Sequence, residues 1–596
     1  MKKRTNSKNV GSRGTAKSSD SSSVADRRGF LRAGLGLAAA GGAAGFGASE
    51  AMAGAPHLTE KDTGGHADYD VDVVVAGSGN GGMSSAIAAA KGGARTLLIE
   101  ISTQIGGNSL MSGGILHTAG QRTWEDYNKY TLGLHDQVLA KVYVETFWNE
   151  YIPWLQSHSA YMSRPTPETP GYFGDWHFGK GEPGQLRHKL YFDSLVKAYE
   201  GAGGKRLMRT RVMKLLVDSE GRVMGLRARV WRDSPRDEDQ RWITIRAKKT
   251  IMATGGWTMD GERKATFLGR DGYMSQQYCG PFGSGEGQNM CEAAGAGLSK
   301  SGWSSFCGGT HAITATPLMN ADMDAMFKLW DEVPPEHWHD TYFTGRLYPP
   351  GWIGVFPQFG MASRGILINN RGERFIDEGS PIHARYPRIS INVVRQPGGY
   401  AWVVVDKVIF DKTPGSDAVV KKIIAEGGSW GTHGNVIIAQ SLKELADALG
   451  QAGVYRGAFL KTIEEYNRAV DSKTQEDLAV SHYTGNDSGG YAIRTPPFYA
   501  IPIRANPYVT FGGVRINEHG QALDPQGVPV PSLYAPPPLG GGIQNEIYAG
   551  AIGMAGVFGY LAGKHAAQAL KKIGTGKSSK TSTKANETKG AHTTTT

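Results

Sequence analysis

Cysteine is scarce in this sequence, and the spacing of the few present excludes several kinds of site. The 596 residues contain three cysteines, Cys279, Cys291 and Cys307. They form no C-x-x-C pair and no C-x-x-C-H motif, so neither a zinc site nor attached c-type haem is supported. Three thiols also cannot form the disulfide framework of a small secreted domain. The sequence therefore predicts no metal site.

The central part of the chain lacks an excess of charge of either sign, although the formal net charge is +10. Residues 1–55 hold nine Lys and Arg against three acidic residues, and residues 571–596 hold six Lys against one Glu. The chain between these ends is close to neutral. Because nucleic-acid phosphates are bound by Lys and Arg gathered on a folded surface, this distribution argues against a nucleic-acid partner.

The N-terminal segment lacks an apolar run long enough to span a membrane. The run Ala33–Ala48 is shorter than the roughly 18 residues that a span needs, and it is rich in Gly and Ala. It follows a basic stretch with Arg27 and Arg28 and precedes small residues suited to cleavage. The paired arginines resemble a twin-arginine signal, which implies export of a protein already folded around a cofactor. We therefore expect residues 1–55 to be a signal and leader, and the protein to lie in the periplasm or cell envelope.

The segment after the leader has the pattern of a dinucleotide-binding unit. A β-branched run, Tyr69–Ala76, leads into the turn Gly77–Gly82, a helix of small residues follows, and a second strand ends in Glu100. The glycines of a G-x-G-x-x-G turn allow a tight bend, close approach of backbone to a pyrophosphate, and close packing of helix on strand. The helix N-terminus presents N–H groups to the phosphates, and the acid accepts hydrogen bonds from a ribose. NAD and FAD share this fingerprint, so the pattern leaves both open.

The loop Ile105–Gly114 favours FAD. Its sequence, I-G-G-N-S-L-M-S-G-G, resembles the G-G-N-S…S-G-G loop of the flavoprotein family that includes fumarate reductase flavoprotein subunits and 3-ketosteroid dehydrogenases. In that family the loop lies along the isoalloxazine and diphosphate of FAD. Further segments resemble that family in the family's order, namely Thr210–Val212, Ile251–Gly256, Gly283–Ala296, Thr510–Ile516, Pro531–Ala535 and Ala549–Gly563.

The resemblance implies FAD as the cofactor and assigns its binding residues by position. In the family, the N-terminus of the helix that begins near Ala549 faces the flavin pyrimidine ring, where it would stabilise negative charge. The implied FAD-binding residues are Gly77, Ser78, Gly79, Asn80, Gly82, Met83, Glu100, Gly106, Gly107, Asn108, Ser109, Gly113, Gly114, Val212, Thr254, Gly255, Gly513, Ala551 and Ile552.

The middle of the chain changes character and predicts a second domain. Residues 301–504 are rich in Trp, Tyr, His and Pro, and Gly365–Glu378 has the alternation and turn residues of a β-hairpin. This segment is similar to the start of the family's substrate-capping domain, which implies a cap over the flavin. We expect an α/β fold in which a Rossmann-like FAD-binding domain, residues 68–300 and 505–570, carries an inserted α+β capping domain. Residues 571–596, rich in Ser, Thr and Lys, predict a disordered tail.

The chain departs from the fumarate reductase branch of the family at the positions that handle substrate. That branch has an Arg proton donor after the hairpin, a His before T-M-G-G, and a substrate-clamping Arg in the C-terminal loop. This chain has Arg385 and Arg388 slightly displaced from the first position, Tyr508 and Val509 before Thr-Phe-Gly-Gly, and Glu546 where the clamping Arg would lie. A Glu cannot clamp a carboxylate, so these departures disfavour a dicarboxylate substrate.

The ketosteroid dehydrogenase branch matches better in one segment. Pro496–Ala500 resembles its P-P-F-Y-A sequence, whose Tyr polarises a ketone. A phenol beside a carbonyl stabilises an enolate while hydride moves to the flavin.

In another departure, Pro536–Leu539 stands where the family has an A-G-E sequence whose Glu contacts the ribityl chain of FAD. Recognition of the ribityl chain must therefore differ, or the loop takes another path. The candidate catalytic residues are Tyr499, Arg385, Arg388 and Tyr508.

These patterns predict an exported FAD-dependent oxidoreductase acting on CH–CH groups. Hydride would pass between flavin N5 and a C–C bond beside a carbonyl, with a ketone-bearing substrate favoured. A fumarate reductase-like or tricarballylate dehydrogenase-like enzyme acting on a carboxylate stays open, as does a non-catalytic flavin redox carrier of the envelope. We expect an external electron donor or acceptor, either a protein or a quinone, besides the small-molecule substrate and the export machinery.

Overall fold

The β-branched run Tyr69–Ala76 forms a central strand of the largest sheet. The computed structural model describes residues 65–110, 112, 114–158, 160–164, 176–180, 184–230, 241–273, 283–300, 305–311, 361–362, 364–379, 392–413, 436–484, 490–545 and 547–582. Within them the strands are β1 (Tyr69–Ala76), β2 (Thr96–Ile99), β3 (Ile115–Leu116), β4 (Met162–Ser163), β5 (Trp176–Phe178), β6 (Lys205–Leu207), β7 (Thr210–Val217), β8 (Val223–Val230), β9 (Arg241–Met252), β10 (Ser305–His311), β11 (Ile366–Ile368), β12 (Tyr400–Val405), β13 (Ile437–Ala439), β14 (Phe498–Thr510), β15 (Val514–Arg515), β16 (Gln521–Leu523), β17 (Pro529–Tyr534) and β18 (Gly540–Gly541).

The helices of the described residues begin with the one predicted after the glycine turn. The α-helices are α1 (Asn80–Lys91), α2 (Gly107–Leu110), α3 (Trp124–Tyr130), α4 (Gln137–Thr146), α5 (Ile152–Ser157), α6 (Gly184–Gly201), α7 (Gly261–Tyr273), α8 (Glu286–Ala293), α9 (Lys407–Lys412), α10 (Leu442–Gln451), α11 (Arg456–Ser472) and α12 (Ile552–Ser582). A π-helical turn, Phe147–Tyr151, joins α4 to α5, and 3-10 turns cover Pro397–Gly399 and Gln475–Asp477.

The largest sheet is a parallel core with antiparallel additions. Its strand order is β16-β17-β9-β1-β2-β6, and β17, β9, β1, β2 and β6 run parallel to their neighbours in that order. Strands β7 and β8 form an antiparallel meander on the first half of β9. The last four residues of β1 and all of β2 are buried, as expected for strands covered on both faces. The carboxyl ends of β1, β2 and β9 therefore meet at one edge of the sheet.

Two glycine-rich helices bring the start and the end of the chain's folded body together. A Cβ atom on Gly559 of α12 would lie 2.1 Å from the carbonyl oxygen of Gly81 in α1, so the two helix backbones are in direct contact. The first turn of α1 thereby lies beside α12 near Gly559. Helix α12 continues past Lys571, where the sequence predicts the start of a tail, and ends at Ser582; residues 583–596 lie outside the described residues.

The predicted capping segment contributes a second sheet and a second hydrophobic core. The order of this antiparallel sheet is β10-β14-β12-β11, with β13 also paired to β14. Its core contains residues from Met361 to Ile503, whereas the core around the large sheet draws on residues 73–296 and 514–566. The hairpin predicted over Gly365–Glu378 is present as β11, a turn, and a single bridge from Ile368 to Arg374. The domain boundaries stay a prediction, since both cores lie in one compact unit.

Neither a membrane span nor a metal cluster is found in the described part of the chain. No helix there combines the length and apolar character needed to cross a bilayer. No group of three or more His, Cys, Asp or Glu side chains there is placed to hold a metal ion.

Candidate functional site

The glycine turn after β1 takes the conformation that its sequence predicts. Gly77 has φ +99°, and a Cβ atom there would lie 2.4 Å from the carbonyl oxygen of Ala253. A Cβ atom on Gly82 would lie 1.9 Å from the carbonyl oxygen of Gly77, so the helix is pressed against the turn. Helix α1 starts at Asn80 without a capping side chain at Gly79; the Asn80 N–H donates to Ser109 Oγ at 3.1 Å, and the following N–H groups of the first turn lie at the sheet edge. Backbone N–H groups of this kind bind phosphate.

Glu100 follows β2 and is bonded to the turn rather than left free. Its Oε2 accepts hydrogen bonds from the backbone N–H of Ser78, at 2.8 Å, and from the Ser78 hydroxyl, at 2.5 Å. Its Oε1 accepts from the backbone N–H of Ser102, at 2.8 Å. Burial raises the pKa of Glu100, although these hydrogen bonds act in the opposite direction. The Ser78 hydroxyl also accepts from the N–H of Gly106, which fixes the glycine-rich loop to the turn.

An elongated cleft opens at this edge of the sheet and encloses about 1020 Å³, its open mouth included. It is lined by the glycine turn, the end of β2, the glycine-rich loop, the start of β7, the end of β9 and the start of α8. Eleven of the predicted FAD-binding residues line it, namely Gly77, Ser78, Gly79, Asn80, Glu100, Gly107, Asn108, Ser109, Val212, Thr254 and Gly255. The fold thus forms one continuous cavity from segments that are spread over about 480 residues, from Ala76 to Ala555.

An ion pair lies in the wall of this cleft. The guanidinium of Arg211, at the start of β7, donates from Nε to Glu286 Oε2 at 3.2 Å and from Nη2 to Glu286 Oε1. Both residues line the cleft and are partly exposed. The sequence prediction named Val212 and passed over this pair. An arginine and a glutamate 75 positions apart give no local pattern, so only the fold could pair them.

The lining of the cleft fits a dinucleotide. Asn108 Oδ1 and Thr254 Oγ1 are buried and make no hydrogen bond within the described residues, so both are available to a bound molecule. Apolar side chains, among them Val212 and Met290, offer a surface for a planar base. Together with the glycine turn and the helix N-terminus, these groups match the adenosine and diphosphate parts of FAD.

A smaller pocket of about 290 Å³ adjoins the cleft, and both are lined by Pro537 and Pro538. The smaller pocket is called the inner pocket below. Predicted residue Ala551 lines it, as do Thr510 and Gln544, which the sequence prediction did not select. Thr510 directly precedes the Phe-Gly-Gly motif, and its place beside that motif could have identified it from the sequence. The remaining lining residues are Val509, Phe511, Gly540, Gly541, Ile543 and Met554.

The other predicted FAD-binding residues that the structure describes line neither cavity. Met83 is fully buried in the core, and Gly106 binds Ser78 through its N–H. Gly114 has φ +69° and packs against His188. Gly513 is packed on Leu539, and Ile552 is the first residue of α12. Gly82 packs on the turn as described above, and Gly113 lies outside the described residues.

Of the four candidate catalytic residues, the structure describes Tyr499 and Tyr508. Tyr499 lies in the core of the second sheet, where its ring stacks on Phe410 with 4.3 Å between centroids. It lines neither cavity, so its surroundings give a role in catalysis no support. Tyr508 lies in β14 next to Val509, which lines the inner pocket. Arg385 and Arg388 lie outside the described residues.

Comparison with known proteins agrees with this geometry. The family profile described as "FAD binding domain" matches residues 72–536. The chain is 26% identical to an NADH:fumarate oxidoreductase of Klebsiella pneumoniae, over 83% of this chain and 48% of that one. It is 25% identical to the fumarate reductase (cytochrome) of Shewanella frigidimarina, over 88% of this chain and 79% of that one. It thus spans about half of the Klebsiella relative.

A solved structure shows the same fold. The 3-ketosteroid-Δ4-(5α)-dehydrogenase from Rhodococcus jostii RHA1, in complex with 4-androstene-3,17-dione, superposes with a TM-score of 0.59 at 20% identity, over 86% of this chain and 99% of that one. The predicted α/β fold, FAD cofactor and oxidoreductase class are confirmed. The chain belongs to the FAD binding domain family and is an FAD-dependent oxidoreductase.

Proposed function

We propose that this enzyme oxidises or reduces a C–C bond beside the carbonyl group of a neutral, ketone-bearing substrate. The observation that carries this choice is the chemistry of the chain that flanks the inner pocket, into which the flavin ring would extend and beside which a substrate would lie against the flavin. The described residues of the two segments there, Val509–Phe511 and Ile543–Asn545, are all uncharged. A carboxylate that leaves water needs a cationic partner, whereas a ketone needs hydrogen-bond donors and apolar surface.

The chain's own residues hold and orient the cofactor. The first N–H groups of α1 and the glycine turn would bind the diphosphate, and Glu100 would accept from the ribose. FAD, when bound, supplies the acceptor and donor of hydride. A proton must move at the carbon or oxygen beside the reacting bond, and we propose Tyr508 as the first candidate to carry it, because its strand neighbours Val509 and Thr510 line the inner pocket.

The relatives named as fumarate reductases favour a second candidate, reduction of an unsaturated carboxylate. In that case Arg385 or Arg388 would bind the substrate or donate the proton. The uncharged segments around the inner pocket support the ketone instead.

A substrate screen on the purified holoprotein distinguishes these functions. The flavin is reduced by light under anaerobic conditions and mixed separately with enones, with enoates including fumarate, and with redox proteins. The oxidised protein is mixed with saturated ketones. We expect enones to restore the oxidised spectrum or saturated ketones to bleach it. Response to enoates alone would establish the carboxylate function, and response to redox proteins alone would contradict both proposed substrate classes.

Two tyrosine variants then test the proton carrier. We expect Tyr508→Phe to lower kcat by about 10²–10⁴-fold, the usual contribution of a general acid or base. Tyr499→Phe, which keeps the stacked ring and removes a hydroxyl outside both cavities, is the matched control and should retain most of the activity. If Tyr499→Phe lowered kcat more than Tyr508→Phe, Tyr499 would be the proton carrier instead.

We also propose export by the twin-arginine route and exchange of electrons with a separate protein or quinone. Arg27→Lys combined with Arg28→Lys should hold the protein in the cytoplasm of a host that has this route. Arg4→Lys combined with Arg13→Lys, elsewhere in the basic leader, should leave export unchanged. Unimpaired delivery of the Arg27 and Arg28 variant to the periplasm would contradict the proposal.

A further inference from the structure

The inner pocket holds two buried polar groups without partners. Gln544 and Thr510 are 3% and 4% exposed, and neither Gln544 Oε1 nor Thr510 Oγ1 makes a hydrogen bond within the described residues. A buried polar atom without a hydrogen-bond partner destabilises the protein. Two such atoms that line one cavity therefore indicate that a ligand supplies their partners. Both residues line the same pocket, so one ligand can reach both.

The side-chain amide of Gln544 has a fixed orientation. Its Nε2 donates to the carbonyl oxygen of Gly550 at 2.9 Å and contacts Met554 Sδ at 3.6 Å. Turning the amide over would place its oxygen against the Gly550 carbonyl, where two acceptors would repel each other. Gln544 therefore offers only an acceptor to the pocket, and the ligand group that meets it must be a donor.

Donors are present in the same pocket. Ala551, which lines it, directly precedes α12, and the first N–H groups of a helix have no partner within the helix. The N–H of Ala551 makes only a long bond, 3.3 Å, to the hydroxyl of Tyr548. The Thr510 hydroxyl can also donate. The pocket thus combines donors from the helix N-terminus and from Thr510 with one fixed acceptor from Gln544.

We propose that Gln544 accepts the N3–H hydrogen bond of the flavin pyrimidine ring in the inner pocket. That ring carries an N–H donor between two carbonyl acceptors. The pocket offers the complementary set, one acceptor and donors of two kinds, and it adjoins the cleft through Pro537 and Pro538. Gln544 is then a specificity residue for the cofactor, and its role does not depend on the identity of the substrate.

Reconstitution with a modified cofactor tests this assignment. Apoprotein is titrated with FAD and with 3-methyl-FAD, in which a methyl group replaces the N3 hydrogen. The wild-type protein should bind FAD about 5–150-fold more tightly, the range expected when a buried acceptor is left unsatisfied. In Gln544→Leu the acceptor is gone, so the two affinities should come within about threefold of each other. A pocket that rejects the methyl group by size alone would keep the wild-type ratio in Gln544→Leu, and that result would overturn the proposal, as would equal binding by the wild type.

The matched control is Gln475→Leu. Gln475 is also buried, and its Nε2 also faces a glycine carbonyl, that of Gly490, but it lies away from both cavities. It should keep the wild-type ratio. Thermal unfolding and flavin content of each variant establish that the proteins compared are folded.

A second measurement uses the holoprotein as purified and needs no apoprotein. The host is supplied with riboflavin labelled with ¹⁵N at N3, and the N3–H resonance of the bound flavin is recorded. Loss of the acceptor in Gln544→Leu should move the proton resonance upfield and speed its exchange with water. An unchanged resonance would overturn the assignment independently of any affinity.

Discussion

The side-chain amide of Asn80 donates a hydrogen bond to the carbonyl oxygen of Ile552, which is 2.9 Å away and 472 residues further along the chain. The same Nδ2 donates to the hydroxyl of Tyr151 at 3.0 Å, and Oδ1 accepts from the hydroxyl of Tyr191 at 2.9 Å. The amide thus ties the first turn of α1 to the first turn of α12. These are the two helix N-termini that we propose for the cofactor site.

We predict that Asn80→Leu destabilises the protein and not only its cofactor site. The substitution leaves two buried tyrosine hydroxyls and the Ile552 carbonyl without this partner, and we expect the free energy of unfolding to fall by about 3 kcal/mol. Urea unfolding followed by circular dichroism measures the loss. Tyr191→Phe alone should cost about 1 kcal/mol, and in the Asn80→Leu background it should cost nothing further. Additive losses would show that the two side chains act independently.

The sequence could predict Asn80 as a site residue but not what its side chain does. The glycines of the G-x-G-x-x-G turn are required by contacts within the turn itself or with the adjoining strand. The local sequence pattern was therefore sufficient to identify the turn. The partners of Asn80 come from the π-helical turn, α6 and α12, and no spacing in the sequence records them. Tyr499 was selected by a motif match, and the fold places its ring against Phe410 in the core of the second sheet, so its catalytic role stays a prediction.

A second prediction separates backbone strain from steric exclusion at the glycine turn. Gly77 and Gly93 have similar positive φ values, +99° and +92°, and both belong to the β1-α1-β2 unit. A Cβ atom on Gly77 would collide with the Ala253 backbone, whereas one on Gly93 meets nothing within 4 Å. We expect Gly93→Ala to cost about 1 kcal/mol and to retain FAD. Gly77→Ala should lose bound flavin, measured as the ratio of absorbance at 450 and 280 nm. Equal flavin content in the two variants would contradict this account.

The third prediction concerns the ion pair in the cleft wall. Removing the guanidinium in Arg211→Ala leaves the Glu286 carboxylate unpaired in the wall of the cleft proposed for FAD, whose diphosphate carries charge of the same sign. We expect FAD affinity to fall about tenfold at low salt and less at high salt. Arg206→Ala is the matched control, since Arg206 pairs with Glu200 on the surface outside the cleft. An equal effect of the two substitutions would mean that the contribution of Arg211 is not local.

The pH dependence of stability provides a further prediction, at a buried ion pair outside the cofactor site. Glu378 is 0% exposed and accepts from Arg374 Nε at 3.2 Å and from the backbone N–H of Leu367 at 2.7 Å, with His482 Nδ1 at 3.3 Å. Burial raises the pKa of Glu378, but the charge and hydrogen bonds of Arg374, together with the neighbouring His482, outweigh it, so the pKa lies below its usual value. A depressed pKa means that ionised Glu378 stabilises the fold at pH values above the unfolded pKa, roughly 4.3.

We therefore predict that Glu378→Gln lowers the free energy of unfolding by about 3–5 kcal/mol at pH 7, because it leaves Arg374 buried without a counter-charge. The contribution of the carboxylate is lost as pH falls from the unfolded pKa through the folded one, so the gap between wild type and variant should narrow below about pH 4. Denaturant unfolding at a series of pH values measures that gap. Glu373→Gln, at an exposed position five residues earlier, should stay within about 0.5 kcal/mol of wild type throughout. If the difference in unfolding free energy were large and independent of pH, packing rather than charge would account for it. Protonation of Glu378 removes only the charge interaction.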